Sequence, residues 1–205
     1  MLNILLAGVG GQGTVLAAKL LAQAAEAKGW QVRTAETIGM AQRGGNVVSH
    51  VRMGDEGEPV YAPLIARGTA DLIVAFEPAE AARVLGYLKP GGTMVCASTA
   101  IQPVSAALSS TPYVASEVLQ NLAGEIEQAG GAFFAVDDAS LVEKAGGRKS
   151  LNVMLLACAL AEGGLAVTVD DLRRAIPACV KERFVDMNLR AIDLALNSCT
   201  SNMVD

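Results

Sequence analysis

Histidine is nearly missing from this chain. It occurs once, at His50, so a zinc site has no second imidazole to draw on. Cysteine is sparse as well. Cys96, Cys158, Cys179 and Cys199 stand far apart, with no C-x-x-C or C-x-x-x-C spacing. That excludes the clustered thiolate runs that hold iron–sulfur clusters, and no other metal site is expected. Each cysteine is expected as a small buried hydrophobe. Aromatic residues make up only 4% of the chain. No apolar run reaches the ~18 residues that a membrane span needs. The longest, Leu151 to Ala161, reads as a core or interface helix. There is no excess of base: 16 Lys and Arg face 21 Asp and Glu, the net charge is −5 and the pI is near 5.0. Nucleic acid is therefore not an expected partner. No basic stretch followed by an apolar segment opens the chain, so a cytoplasmic protein is expected.

What is present is small and apolar. The 205 residues are 52% hydrophobic and include 21 glycines. That length suits one α/β domain with a helical extension. A mean hydropathy of +0.37 is high for a soluble monomer and points to a covered surface, hence a partner subunit.

The chain opens on its most informative stretch. Ile4 to Ala7 is a short apolar run bounded by glycine and reads as a buried parallel strand. Gly8, Gly10 and Gly13 follow with G-x-G-x-x-G spacing, and Val15, Leu16, Leu20 and Leu21 then recur at helical intervals. Strand, glycine turn, helix is the context this motif needs. The first glycine permits a tight turn, the second lets a phosphate approach the backbone, and the third lets helix and strand pack closely. Backbone N–H groups and the positive helix end converge on one point, which suits an anion. Thr14 adds a hydroxyl. A packed turn that binds nothing has the same pattern.

Further along, Trp30 to Glu36 alternates as a second strand and ends in an acid. Glu36 lies at about the spacing of the ribose-binding acid of dinucleotide folds. A stand-alone NAD-binding oxidoreductase thus stays open, although no Tyr-x-x-x-Lys pair or His/acid dyad accompanies it. The glycine-rich segment 37–45 reads as a loop with one cation, Arg43. Asn46 to Met53 is a third strand, with His50 read as an exposed or edge residue, and Pro59 to Tyr61 is a short antiparallel return. Asp71 to Phe76, Thr93 to Ala97 and Ala132 to Val136 are further strands. Helices are expected from Glu77 to Leu88 and from Ala115 to Ala129. This alternation predicts a Rossmann-like, doubly wound, mostly parallel sheet over 1–137. The helical part, 138–197, holds helices at Asp138–Ala145, Lys149–Glu162, Asp170–Ile176 (ended or kinked by Pro177) and Lys181–Leu196. A frayed tail, 198–205, closes the chain.

Taken together, Gly8-Val9-Gly10-Gly11-Gln12-Gly13, Glu36, and Gly39 to Gly45 leading into Ser49-His50-Val51-Arg52 resemble the gamma domain of 2-oxoacid:ferredoxin oxidoreductases. The resemblance runs from about residue 2 to residue 196, through Asn152 and Asn188, and looks closest to the small separate subunits of indolepyruvate-type enzymes. It implies a single gamma-type domain over 1–197. It also implies an accessory subunit, with no catalytic residue and no activity of its own. The reaction is oxidative decarboxylation of an aryl 2-oxoacid to an acyl-CoA, with reduction of ferredoxin. Thiamine diphosphate and iron–sulfur clusters then belong to a large catalytic partner subunit, and ferredoxin is met through the complex. Coenzyme A is the reactant that suits the glycine turn. The residues expected to contact it are Gly8, Gly10, Gly11, Gln12, Gly13 and Thr14, with Arg43, Gly44 and Gly45. A non-catalytic scaffold with an empty turn is the third reading.

Overall fold

The structure is a computed structural model, which describes residues 1–39, 45–54, 57–101 and 113–201. One sheet contains β1 (Leu2–Val9), β2 (Gln31–Ile38), β3 (Asn46–Gly54), β4 (Ala70–Ala75), β5 (Leu88–Ala97) and β6 (Ala132–Val136). Their order across the sheet is β2-β3-β1-β4-β5-β6. The pairs β1–β4, β4–β5 and β5–β6 are parallel, while β3 runs against both β1 and β2. The fold is thus α/β with a mixed, mostly same-direction sheet.

β1 is central because its run is apolar on both faces. Ile4 and Leu6 turn to one side, Leu5 and Ala7 to the other, and all four are fully buried. The first face carries α1 (Thr14–Glu26), α4 (Asp138–Lys144), α5 (Leu151–Glu162), α6 (Val169–Cys179) and α7 (Val185–Ser201). The second face carries α2 (Pro78–Val84) and α3 (Ala115–Gln128). Helix α5 is buried at every position from Leu151 to Leu160. A helix that is apolar all round belongs in a core. Its hydrophobicity is satisfied within this chain, so high mean hydropathy by itself does not require a partner.

Several elements depart from the sequence pattern. Pro59–Tyr61 is not a strand; Val60 instead donates its N–H to Gln31 Oε1 at 3.2 Å. The helix begun by Glu77 ends at Val84 and passes through a 3₁₀ turn, Leu85–Tyr87, into β5, which takes up Lys89 to Gly92. Thr168, not Asp170, caps α6. Its hydroxyl accepts from the Asp171 N–H, and the Asp171 carboxylate accepts from the Thr168 N–H. Pro177 does not end α6; it lies inside the helix, which continues to Cys179. The final helix begins later than expected and runs on to Ser201, into the segment expected to fray. His50 is only 5% exposed, because β3 is an interior strand; its Nδ1 accepts from the Ile65 N–H at 3.2 Å. Burial lowers its pKa. Arg52, also on β3, donates to Asn3 Oδ1 and to the Ala62 carbonyl, tying the segment after β3 to the sheet. Cys158 and Cys199 are not separate hydrophobes: their sulfurs join α5 to α7 in a disulfide.

Candidate functional site

The site begins where β1 ends. β1 leads into α1 on one face of the sheet, and β4 leads into α2 on the other. The crevice between the carboxyl ends of adjacent strands that part in this way is where open α/β sheets bind ligands. Gly8 to Gly13 form its rim. Gly11 and Gly13 have φ of 96° and 84°, in the left-handed region that favours glycine. Gly10 lies outside that region. A Cβ there would meet only the Gly45 carbonyl, at 3.6 Å. A Cβ on Gly8 would instead lie 2.7 Å from Gln12 Oε1 and 3.1 Å from both Phe76 Cβ and Thr14 Cγ2.

Gln12 braces this turn. Its Oε1 accepts from the Val9 N–H at 2.6 Å, and its Nε2 donates to the Phe76 carbonyl at 2.7 Å. One side chain thus holds the ends of β1 and β4 together across the crevice. Behind the turn, the buried Asn152 at the start of α5 donates Nδ2–H to the Gly13 carbonyl at 3.2 Å. A Cβ on Gly13 would come within 2.8 Å of that nitrogen, so the third glycine makes room for an amide from the C-terminal helices.

The donors are fewer than the motif suggests. The Gly10 N–H is taken by the Gly45 carbonyl at 2.9 Å, and the Gln12 N–H by the Val9 carbonyl at 3.1 Å. Thr14 is buried, with its methyl against Gly8, and does not open onto solvent. Helix α1 has Gly13 as N-cap and no side-chain cap. Among the described residues, no acceptor meets the N–H groups of Gly11, Gly13 and Thr14. These three donors and the helix dipole are what the turn offers an anion. Gly45, expected as a ligand contact, closes against the turn through its carbonyl; Arg43 and Gly44 lie outside the described residues.

Two buried acids shape the neighbouring strand ends, and the sequence pattern did not reveal them. Glu77, 1% exposed, caps α2: its Oε2 accepts from the Glu80 N–H at 3.0 Å and its Oε1 from the Tyr113 hydroxyl at 2.7 Å. Burial first, then the hydrogen bond and charge of Glu77, push the Tyr113 pKa up. Burial also raises that of Glu80; the Arg83 guanidinium, 3.2 Å away, opposes this, and Glu77 adds to it. Asp138, 1% exposed, takes the Thr99 N–H at 2.8 Å and pairs with Arg148 at 3.4 Å, anchoring the exit of β5. The proline after Glu77 signalled a helix start, but a long-range hydroxyl partner leaves no local pattern.

The acid of the NAD reading is misplaced. β3 lies between β1 and β2, so Glu36 sits on an edge strand opposite Ser49, which in turn faces Leu6. Two strand spacings, about 10 Å, separate it from β1. It is exposed and level with Leu6, below the turn, so it does not meet a ribose held there.

The four cysteines do not converge. Cys96 is enclosed against the α2–α3 face, Cys158 and Cys199 bond each other, and Cys179 lies half-buried beside α1 with its Sγ 3.8 Å from the Lys19 carbonyl. Among the described residues no three His, Cys, Asp or Glu side chains form a metal-binding group. The thiols present do not fit an iron–sulfur cluster. Among the same residues no helix is long and apolar enough to cross a membrane.

Residues 3–198 match the family described as pyruvate ferredoxin/flavodoxin oxidoreductase. The chain is 36% identical over 196 residues to the indolepyruvate oxidoreductase subunit IorB of Pyrococcus horikoshii, covering 96% of this chain and 95% of that one. It is 36% identical over 200 residues to the IorB subunit of Archaeoglobus fulgidus, covering 98% and 96%. Among solved structures, it resembles the gamma subunit of a keto/oxoacid ferredoxin oxidoreductase from Geobacter sulfurreducens. The TM-score is 0.70 at 21% identity, covering 98% of this chain and 99% of that one. It also matches 31% of a 2-oxoglutarate:ferredoxin oxidoreductase chain from Magnetococcus marinus, solved with 2-oxoglutarate, coenzyme A and succinyl-CoA bound. There the TM-score is 0.70 at 20% identity, over 98% of this chain.

Proposed function

Because the chain belongs to the pyruvate ferredoxin/flavodoxin oxidoreductase family, we propose that it is the accessory subunit of a 2-oxoacid:ferredoxin oxidoreductase, with indolepyruvate the expected substrate. The observation that carries this is the near-full-length identity to IorB subunits. Decarboxylation and electron transfer to ferredoxin rest with thiamine diphosphate and iron–sulfur clusters of a large partner subunit. The scattered cysteines and the lack of a clustered ligand set among the described residues support that division. The chain itself turns nothing over and works in the cytoplasm as part of the hetero-oligomer.

The glycine turn takes a phosphate of coenzyme A. The N–H groups of Gly11, Gly13 and Thr14 donate to it, and Arg43 supplies a second, charge-assisted contact. Gln12 and Asn152 hold the turn in shape without touching the ligand. The coenzyme A bound in the Magnetococcus enzyme is consistent with this choice of anion. The partner subunit meets the carboxyl rim of the sheet. Val15 in the first turn of α1, Ile38 at the end of β2 and Val114 at the start of α3 stand exposed, at 48%, 66% and 36%.

Gly10→Val is the test. Its φ is not one that only glycine tolerates, and a Cβ there meets the Gly45 carbonyl at ordinary contact. The branched side chain then stands where the phosphate approaches. In the assembled enzyme the KM for coenzyme A should rise while that for the 2-oxoacid holds. Arg43→Ala should remove one charge-assisted contact, about 1.5–3 kcal/mol or roughly ten- to a hundredfold in affinity. Thermal melts accompany both variants. A folded, assembled Gly10→Val enzyme with unchanged coenzyme A kinetics would show the turn to be structural.

A further inference from the structure

We propose that Cys158 and Cys199 are an oxidation site, where hydrogen peroxide or an organic hydroperoxide converts two thiols into a disulfide that ties α7 to α5. This stands apart from the coenzyme A reading and survives its failure. The Cα atoms lie 6.4 Å apart, within the span that a disulfide bridges without moving the backbone. The two sulfurs are unequally placed. Cys158 is 1% exposed, whereas Cys199 is half-buried. Both line an open cleft of about 730 Å³ between the β5–β6 edge, α4, α5 and α7, so a small oxidant has a path to them. Lys144 and Arg190 line the same cleft, as do the acids Asp137, Glu162 and Asp193.

The other two cysteines are poor competitors. Burial, with Glu77 and Asp138 adding to it, pushes the Cys96 thiol far up. Burial also raises that of Cys179. Oxidation therefore starts at Cys199. Its thiolate attacks the terminal peroxide oxygen, the O–O bond breaks, and the leaving oxygen takes a proton from solvent, giving a sulfenic acid and water, or an alcohol where the oxidant is an organic hydroperoxide. The Cys158 thiol then attacks that sulfur, the S–S bond forms, the S–O bond breaks, and water leaves. Two thiols lose two electrons, and one peroxide is reduced. In a reducing compartment the pair rests as two thiols. Once closed, the bridge spans 41 residues of chain and anchors the C-terminal helix to the core. A loop of that length should raise the melting temperature by on the order of 10 °C.

The experiment is a peroxide titration of the reduced full-length chain, followed by alkylation, peptide mass spectrometry and thermal melts. One equivalent should remove two alkylatable thiols and the mass of two hydrogens, link the Cys158 and Cys199 peptides, and raise the melting temperature. Dithiothreitol should reverse all three. Cys199→Ser should abolish the link and the rise. Cys158→Ala should leave a sulfenic acid at Cys199 that dimedone traps. If Cys158→Ala does not fold, Cys199→Ser, at the half-buried end, still decides the matter. The proposal fails if Cys158 and Cys199 both stay alkylatable in the oxidised, folded chain. It fails equally if Cys96 or Cys179 reacts first.

Discussion

Asp171 is a carboxylate surrounded by donors. Burial alone would raise its pKa. The N–H and hydroxyl of Thr168, at 2.8 and 2.9 Å, with Arg174 at 2.5 Å and Lys28 at 3.4 Å, reverse that and hold it at about 2. The folded value lies below the unfolded one of about 3.9. Its stabilisation is therefore complete above about pH 4 and is lost as the pH falls towards 2. Asp171→Ala should cost about 1–2 kcal/mol at neutral pH through the lost capping box. Urea melts from pH 7 to pH 2 should show the gap to the unmutated chain closing below about pH 3. A gap constant with pH would mean that the ionised carboxylate is not the source. At this scale the sequence was only partly legible. The tight turn after β1 could be read from the spacing of Gly8, Gly10 and Gly13; that the positive φ falls at Gly11 and Gly13 and not at Gly10 could not. The bracing by Gln12 and the cap of Glu77 could not, because their partners Phe76 and Tyr113 are 64 and 36 residues away.

Helix α5 shows what an element contributes when every face is buried. It packs on β4 and β5 and touches α1, α4, α6 and α7. Leu155 is fully buried within it. Leu155→Ala should destabilise the chain by about 2–5 kcal/mol, depending on how far the surrounding helices close the cavity. Thermal or urea melts measure this directly. A loss below about 1 kcal/mol would mean that the contact is loose, against the density of a folded interior. Strand and helix types were legible from periodicity. Strand order was not. Alternation in Asn46 to Met53 declares a strand, but nothing in it says that this strand inserts between β1 and β2 and runs backwards. That insertion shapes the site, because it carries Glu36 away from the turn. The hydropathy of Leu151 to Ala161 likewise declared burial, but not whether a partner or the chain itself provides it.

For the molecule as a whole, the remaining question is which surface the partner covers. The hydropathy of the chain pointed to a covered surface, with Leu151 to Ala161 read as a core or interface helix and the glycine-rich loop up to Gly45 as part of the site. Residues 40–44 lie outside the described residues, and α5 is already enclosed by its own chain. The carboxyl rim is the surface we propose instead, for three reasons that act together. Exposed Val15 and Ile38 leave apolar area that a partner would remove from water. Val114 is exposed too, and follows Tyr113, whose hydroxyl Glu77 holds at the start of α2. Gly11 and Gly13, whose N–H groups meet no acceptor among the described residues, belong to the same rim, so a reactant bound there would face the subunit that consumes it. Co-expression with the large subunit should therefore yield a hetero-oligomer, read by size exclusion and native mass spectrometry. Amide exchange should slow at residues 10–16, 37–39 and 113–116 on assembly, while α5 is unchanged. Ile38→Asp should weaken assembly and leave the isolated chain's melting temperature within a few degrees, since Ile38 is 66% exposed on an edge strand. Protection confined to α7, or to exposed Tyr61 and Leu64 after β3, would move the interface away from the rim. The coenzyme A turn would then lie on a free surface and lose its reason to face the partner.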